Sequence, residues 1–330
     1  SIIAEGIDCF GVAGDRGDVA MVGYGAARYA LASGNRNEAE KLWPLIEWCL
    51  EYCHRQLNVD GVVKSDSDEL ENRFPAGKAN LCTSSLYYDA LISAAYLGKA
   101  LKKEHKQIKS YQDRAAELYK NIDVYFARNV EGYDTYRYYD GNTVLRSWIC
   151  IPLTMGIYEQ AKGTVEALFS DKLWMENGLL TQSGTSTYWD RSTLYAFRGA
   201  YSCGARDIAT EYLDKYSATR LLGDHVPYAV EAWPEGNQRH LSTESALYCR
   251  IMTEGLFGIR PIALDAFVMT PQLPESWNMM SLKRVCAFGS IFDIEVKRDK
   301  DNKLSVLIKK DHKIVKRSKI MNGKPIEVRI

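Results

Sequence analysis

Up to Pro261, apolar residues recur every three or four positions, the spacing that lines one face of an α-helix. Val19, Val22, Ala26 and Tyr29 mark a first helix, preceded by Gly14-Asp15-Arg16-Gly17-Asp18 and stopped at Gly34-Asn35. Ala39, Leu42, Ile46, Cys49 and Cys53 mark a second, which Pro44 is expected to kink or restart. Leu86, Ala90, Ala94, Leu97 and Leu101 mark a third; Tyr111, Ala115, Leu118, Ile122 and Tyr125 mark a fourth. A tyrosine-rich stretch from Glu131, closed by Asp140-Gly141, breaks the spacing and predicts a short inserted hairpin. Helical spacing returns over 145–158, 160–169, 191–203 and 205–216, and a last helix runs from Leu241 to Leu256.

Beyond Pro261 the period changes to two. Phe292, Ile294 and Val296 alternate with polar residues, a polar turn follows at Asp299 to Asn302, and Leu304, Val306 and Ile308 alternate back. Asn322-Gly323 predicts a two-residue hairpin turn before Ile326, Val328 and Ile330. The helices come in pairs with short connections and without heptads or a thirty-residue repeat, which predicts a toroid of helical hairpins whose loops at one end carry function. The expected architecture is mainly α over residues 1–261, followed by a small antiparallel β domain over 262–330.

The helix from Leu241 to Leu256 is apolar on most sides and therefore buried, yet it carries Glu244, Arg250 and Glu254. A buried carboxylate is costly unless it is paired, neutral or at work. His240 precedes Glu244 by four residues and falls on nearly the same side. The plain alternative is an ion pair of Glu244 with Arg239 or Arg250. Far upstream, Asp66, Asp68, Glu69 and Glu71 crowd one connection just ahead of Asn80-Leu81-Cys82-Thr83-Ser84, which opens an apolar helix. A solvated acidic loop is the alternative there. Two further loops bring Tyr188, Trp189, Asp190 and Arg191, and Asp224, His225, Tyr228, Glu231 and Trp233. Aromatic faces beside carboxylates suit the C–H faces and hydroxyls of pyranose rings.

Charge narrows the range of partners. Lysine plus arginine and aspartate plus glutamate number 42 each, so no footprint for nucleic acid or an anionic membrane is expected. No apolar run approaches the ~20 residues of a spanning helix, and Ser1-Ile2-Ile3-Ala4-Glu5 lacks the basic and long apolar parts of a signal peptide. The eight cysteines are scattered through apolar helical stretches and read as buried free thiols. Cys49 and Cys53 lie one turn apart without a His or Cys partner at zinc spacing, so neither metal nor cofactor is expected. Nothing in the pattern sets an oligomeric state.

Taken together, these segments resemble the six-hairpin glycosidases, the (α/α)6-barrel superfamily of glucoamylase-like hydrolases, α-rhamnosidases and the phosphorylases of glycoside hydrolase family 65. Ser67-Asp68-Glu69-Leu70 followed by Ala79 to Ser84 is similar to the phosphorylases' acid segment and the helix start that succeeds it. Ser242-Thr243-Glu244, the run Gly255-Leu256-Phe257-Gly258-Ile259-Arg260-Pro261, and Pro271 to Trp277 are similar to the superfamily's closing segment. No Gly-Pro precedes the acid pair, and the helices fall short of twelve, from which a missing N-terminal part is expected.

The resemblance implies an inverting glycoside hydrolase with Glu69 as general acid and Glu244 as base, their carboxyls ~6.5–9.5 Å apart. Glu231, in an exposed aromatic loop, is the rival base. Asp15, Asp18, Asp68, Trp189, Asp190, Arg191, Arg198, His225, Glu231, Trp233 and His240 are expected around the carbohydrate. A phosphorylase, with Ser242, Thr243, His240 and Arg239 around phosphate, and a non-catalytic sugar-binding protein are the other readings.

Overall fold

The computed structural model describes residues 16–65, 74–220, 232–233 and 242–330. Among these, α1 (Arg16–Ser33), α2 (Arg36–Arg55), α3 (Leu81–Leu101) and α4 (His105–Phe126) are followed by a hairpin of β1 (Ala127–Val130) and β2 (Tyr133–Tyr136). Then come α5 (Ile151–Met155), α6 (Ala161–Leu168), the short pair β3 (Trp174–Met175) and β4 (Gly178–Leu179), β5 (Tyr188–Trp189), α7 (Asp190–Ser202) and α8 (Arg206–Arg220). After β6 (Ala232–Trp233), α9 (Ser242–Arg250) continues into one π-helical turn, Ile251–Leu256.

Inner and outer helices separate by their burial. In α3 and α7, buried residues occur on every side, whereas α4 buries a single stripe of Tyr111, Ala115, Leu118, Ile122 and Phe126. The odd-numbered helices are the inner layer, α3 against α1 and α5, α7 against α5 and α9; α2, α4 and α8 pack outside them. This is an α/α toroid of helical hairpins, as the pairing predicted.

Four local expectations are corrected. On α1 the buried side is Val19, Ala20, Tyr24, Ala27, Ala30 and Leu31, while Val22 and Tyr29 are exposed, because small residues let the neighbouring helices approach closely. The second helix runs unbroken through Pro44, which lies on its exposed side where water can serve the carbonyl that proline cannot. The hairpin turns at Glu131-Gly132, both at positive φ, and not at Asp140-Gly141. Asn322-Gly323 makes no hairpin: it carries the chain from one sheet to the other, with Asn322 bonded to both backbone groups of Leu273 at 3.1 and 2.7 Å.

The β domain has β7 (Ile259–Ala263), β8 (Ala266–Met269), β9 (Met279–Ala287), β10 (Ser290–Arg298), β11 (Leu304–Lys310), β12 (Lys313–Ile320) and β13 (Ile326–Arg329). They form antiparallel sheets ordered β12-β11-β10-β9 and β13-β8-β7. The predicted alternation sets the register, pairing Ile294 with Ile308 and Val296 with Val306, all buried. Phe267 joins the sheets by stacking on Phe288 and Phe292 at 5.1 and 5.7 Å. The domain docks where the inner helices end. Phe288 N–H donates to Ala32 at 2.6 Å, Gly289 N–H to Ser33 at 3.0 Å and Gln272 N–H to Leu256 at 2.8 Å. The starts of α3, α7 and α9 therefore lie at the other end. Of the cysteines, Cys49, Cys53, Cys82 and Cys150 are buried, Cys203 is half-buried, and Cys249 and Cys286 are exposed, against expectation.

Two glycines test the packing. A Cβ on Gly163 would stand 1.9 Å from the Asp134 carbonyl oxygen, whereas one on the exposed Gly25 meets nothing within 4 Å. Gly163→Ala should cost about 1–3 kcal/mol in urea denaturation, and Gly25→Ala should add about 0.5–1 kcal/mol.

Candidate functional site

The start of α3 is held on a small polar frame. Asn80 accepts from Thr83 N–H at 2.8 Å, capping the helix, and donates to the buried Ser65 hydroxyl at 2.5 Å. Ser65 N–H donates to Lys78 at 2.8 Å and Leu81 N–H to Tyr138 at 2.9 Å. Both flanks of the acidic segment are thus fixed beside the helix start. Glu69 and Asp68 lie outside the described residues, as do Asp15, His225, Glu231 and His240.

From that frame, contacts run along one rim to the start of α9. Arg146, 1% exposed, stacks between Phe74 and Tyr138 at 4.8 and 4.7 Å and donates to Pro75 O at 3.3 Å. Among the described residues, two of its nitrogens, Nε and Nη2, have no hydrogen bond. Nearby, Trp148 packs edge-on against Trp189 at 5.0 Å, and the Arg191 guanidinium lies 5.8 Å from the Trp189 ring. Arg191 Nε then donates to Glu244 Oε1 at 2.7 Å.

Glu244 is fully buried in the first turn of α9. Its pairing is with Arg191, not with Arg250; Arg239 lies outside the described residues. Among the described residues Oε2 has no hydrogen-bond partner. A carboxylate oxygen in that condition, at a helix N-terminus and steadied by one guanidinium, is open to a water or a hydroxyl.

Other expected site residues have different surroundings. Asp190 is 1% exposed and bonds Arg220 at 2.9 Å, so it secures the start of α7 against α8. Trp189 is 3% exposed and supports Arg191 from beneath; it is not an open platform for a sugar. Trp233 pairs with Tyr188 in the β5–β6 ladder, which brings its backbone beside this rim. Asp18 is exposed in the first turn of α1.

Arg198 lies elsewhere. Seven residues along α7 from Arg191, about 10 Å by helical rise, it joins a network deep in the ring. Glu254, in the π-helical turn, gathers Arg28 at 2.8 Å, Arg198 at 3.3 Å and Arg250 at 2.5 Å. Arg198 and Arg250 also donate to the Tyr24 hydroxyl. Asp89, fully buried, takes Arg28 at 2.9 Å and Arg260 at 2.5 Å. Burial pushes both carboxyls up, but the guanidiniums outweigh it and hold them below their ordinary values. The Tyr24 phenol is likewise lowered: burial raises it, and Arg198, Arg250 and Arg28 overcome that. Arg250, Glu254 and Arg260 stood out in the sequence; Arg28, Asp89 and Arg146 did not, since a single charge in a helical run carries no signal of its partner.

Among the described residues, no cluster of three or more His, Cys, Asp or Glu could hold a metal, and no helix is long and apolar enough to cross a membrane. No family model matches the sequence, and no match is found among the curated proteins. Solved structures are similar in fold. A sialidase aligns over 92% of this chain and 32% of its own at 14% identity, with a TM-score of 0.69. A family 78 rhamnosidase of Bacillus sp. GL1 aligns over 86% and 29% at 13% identity, TM-score 0.53. The α-L-rhamnosidase of Dictyoglumus thermophilum aligns over 90% and 37% at 12% identity, TM-score 0.52. These neighbours are glycoside hydrolases, and the chain shares their α/α toroid with its C-terminal β domain. It spans about a third of the length of each.

Arg191→Met should cost about 3–5 kcal/mol in denaturant unfolding by stranding the buried Glu244 charge, and adding Glu244→Gln should restore part of the loss. Acid should act on the deeper network. Because the folded values of Glu254 and Asp89 are depressed, their contribution is complete above the ordinary values of 4.5 and 3.8 and is lost as pH falls through the lower folded values. Unfolding free energy should therefore decline below about pH 4.5, and Glu254→Gln should flatten part of that decline while costing about 3–5 kcal/mol at neutral pH.

Proposed function

We propose that this chain is the helical catalytic part of a glycoside hydrolase that cleaves a glycosidic bond with inversion, Glu69 acting as general acid and Glu244 as general base. The observation that carries the reading is Glu244 itself: a buried carboxylate at the rim, fixed through one oxygen by Arg191 and, among the described residues, without a hydrogen bond at the other. An inverting base must orient a water against the anomeric carbon while a protonated carboxyl on the opposite side delivers a proton to the leaving oxygen. Oε2 is the atom that takes the water's proton, and Arg191 is a positioning residue that keeps the carboxylate from turning. The fixed flanks of the acidic segment support placing Glu69 across the same rim. Asp15, Asp18, Asp68, His225, Glu231, Trp233 and His240 are proposed to contact the carbohydrate, with Arg146 added to them.

The test is a panel of aryl glycosides and disaccharides, with and without phosphate, headed by the L-rhamnosides and sialosides that the neighbours' names suggest. Turnover without phosphate is expected. Glu69→Gln and Glu244→Gln should each lower kcat by about 10²–10⁴-fold with little change in binding. Glu69→Gln should recover on nitrophenyl glycosides, whose leaving group needs little protonation, and Glu244→Gln should not. Loss of turnover in Glu231→Gln but not in Glu244→Gln would move the base to the loop. Strict dependence on phosphate would make the enzyme a phosphorylase, and ligand binding without turnover would leave a sugar-binding protein.

A further inference from the structure

At the end of the ring away from Glu244 lies a cavity of about 510 Å³ between α7, the π-helical turn and the β domain. Arg28, Arg198, Arg206, Arg260 and Lys324 reach its wall, and Glu254 is the carboxylate among them. Asp89 sits behind the wall and answers Arg28 and Arg260. The balance remains positive, and the lowered Tyr24 phenol reports the same excess.

Helix ends explain only part of this charge. α5 and α7 end at the cavity wall, at Gly156 and at Ser202 to Gly204, and the free carbonyls of a helix C-terminus favour cations, each end carrying about half a charge. Arg198, however, donates to none of them. It is 2% exposed and lies over the Tyr195 ring at 4.8 Å; among the described residues its Nε has no hydrogen bond, and its polar partners are Glu254 and the Tyr24 hydroxyl. Among the described residues, Arg206 Nε is likewise buried without a hydrogen bond, its nearest carboxylate being the exposed Asp207 at 3.8 Å while Nη1 donates to Gln272 at 3.4 Å, and Lys324 is exposed at the opening without an ion pair. Buried guanidinium nitrogens left unsatisfied cost free energy that a suitable acceptor would recover.

We infer that this cavity is a binding site for a phosphate group, free or carried on a small molecule, separate from the carbohydrate site. Guanidiniums offer planar forks of donors matched to phosphate oxygens, and the volume leaves room for a body of sugar size beside the group. Arg198 and Arg28 would hold the phosphate from within, with Arg206 and Lys324 closing on it from the rim.

Thermal unfolding of the full chain with inorganic phosphate, with a hexose phosphate, and with sodium chloride at matched ionic strength tests this. Both phosphates, or one of them, should raise Tm saturably and the chloride should not; which acts better tells free from carried phosphate. Arg206 and Lys324 touch neither Glu254 nor Asp89, and the contacts of Arg206 with Gln272 at 3.4 Å and with the exposed Asp207 at 3.8 Å are long, so Arg206→Gln and Lys324→Gln should nearly keep the phosphate-free Tm. Each should raise the half-saturating concentration by about tenfold or more, the loss of one charge-assisted hydrogen bond. Glu244→Gln should leave the shift as in the unaltered chain, which separates this site from the proposed catalysis. Equal stabilisation by chloride, or a shift unchanged in both rim variants, would overturn the proposal. So would a shift abolished by Arg191→Met, which would place the phosphate at the catalytic rim.

Discussion

The ring holds together through Glu254. Its carboxylate receives guanidiniums from α1, α7 and its own helix, so the first and last inner helices meet across a charge and not across an apolar seam. Such a pair contributes little net stability against an apolar replacement of the same shape, but it is intolerant of losing one member. It also fixes register, because a guanidinium donates in set directions and Tyr24 engages the same two arginines. The π-helical turn serves this arrangement: the extra residue re-aims Glu254 inward within a helix that began with Glu244 at the rim. Gly258, at φ 62° with the Thr270 carbonyl 2.3 Å from where a Cβ would stand, then turns the chain at once into the first strand of the β domain.

One helix therefore carries a fully buried carboxylate and a half-buried one with opposite surroundings. Among the described residues, Glu254 has three cationic partners that engage both its oxygens; Glu244 has one, and an oxygen left over. Saturation by partners is what a structural charge needs, and an unfilled acceptor in a buried place is what a reacting charge needs. The contrast within ten residues of the same element argues for the functional reading of Glu244 more strongly than either residue does alone.

Much of the scaffold was legible in the sequence. Periods of three to four and of two are direct images of helix and strand, so Leu86 to Leu101 and the pairs Ile294–Ile308 and Val296–Val306 lie where the pattern puts them. Reading failed where size or distance decides. Val22 and Tyr29 are apolar positions of α1 that face outward, whereas Ala20, Ala27 and Ala30 share the inner side with Val19, Tyr24 and Leu31, because close helix approach admits small side chains that a hydrophobic pattern weighs little. Asn322-Gly323 has the chemistry of a hairpin turn, but Pro271 and Leu273 supply its partners and the next strand joins another sheet. For the site, Glu244 and Arg191 could be picked out singly. Their pairing, and the Arg28–Glu254 contact, span separations that no local pattern encodes.

The join between Ala32 and Phe288 bears on how the molecule is made. A ribosome finishes α1 long before it reaches the β9–β10 turn that caps it or Glu254, which follows Arg28 by 226 residues. Throughout that interval Arg28 and Asp89 lack Glu254 and Arg260, and the inner faces of α1 and α3 wait without the layer that shields them. Local helices form early, but closure is the last event and rests on contacts of the longest sequence separation, a topology that folds slowly and exposes apolar surface meanwhile. The nascent chain is thus the state in which this protein is most open to aggregation, and its dependence on chaperones should be concentrated there and not in the finished ring.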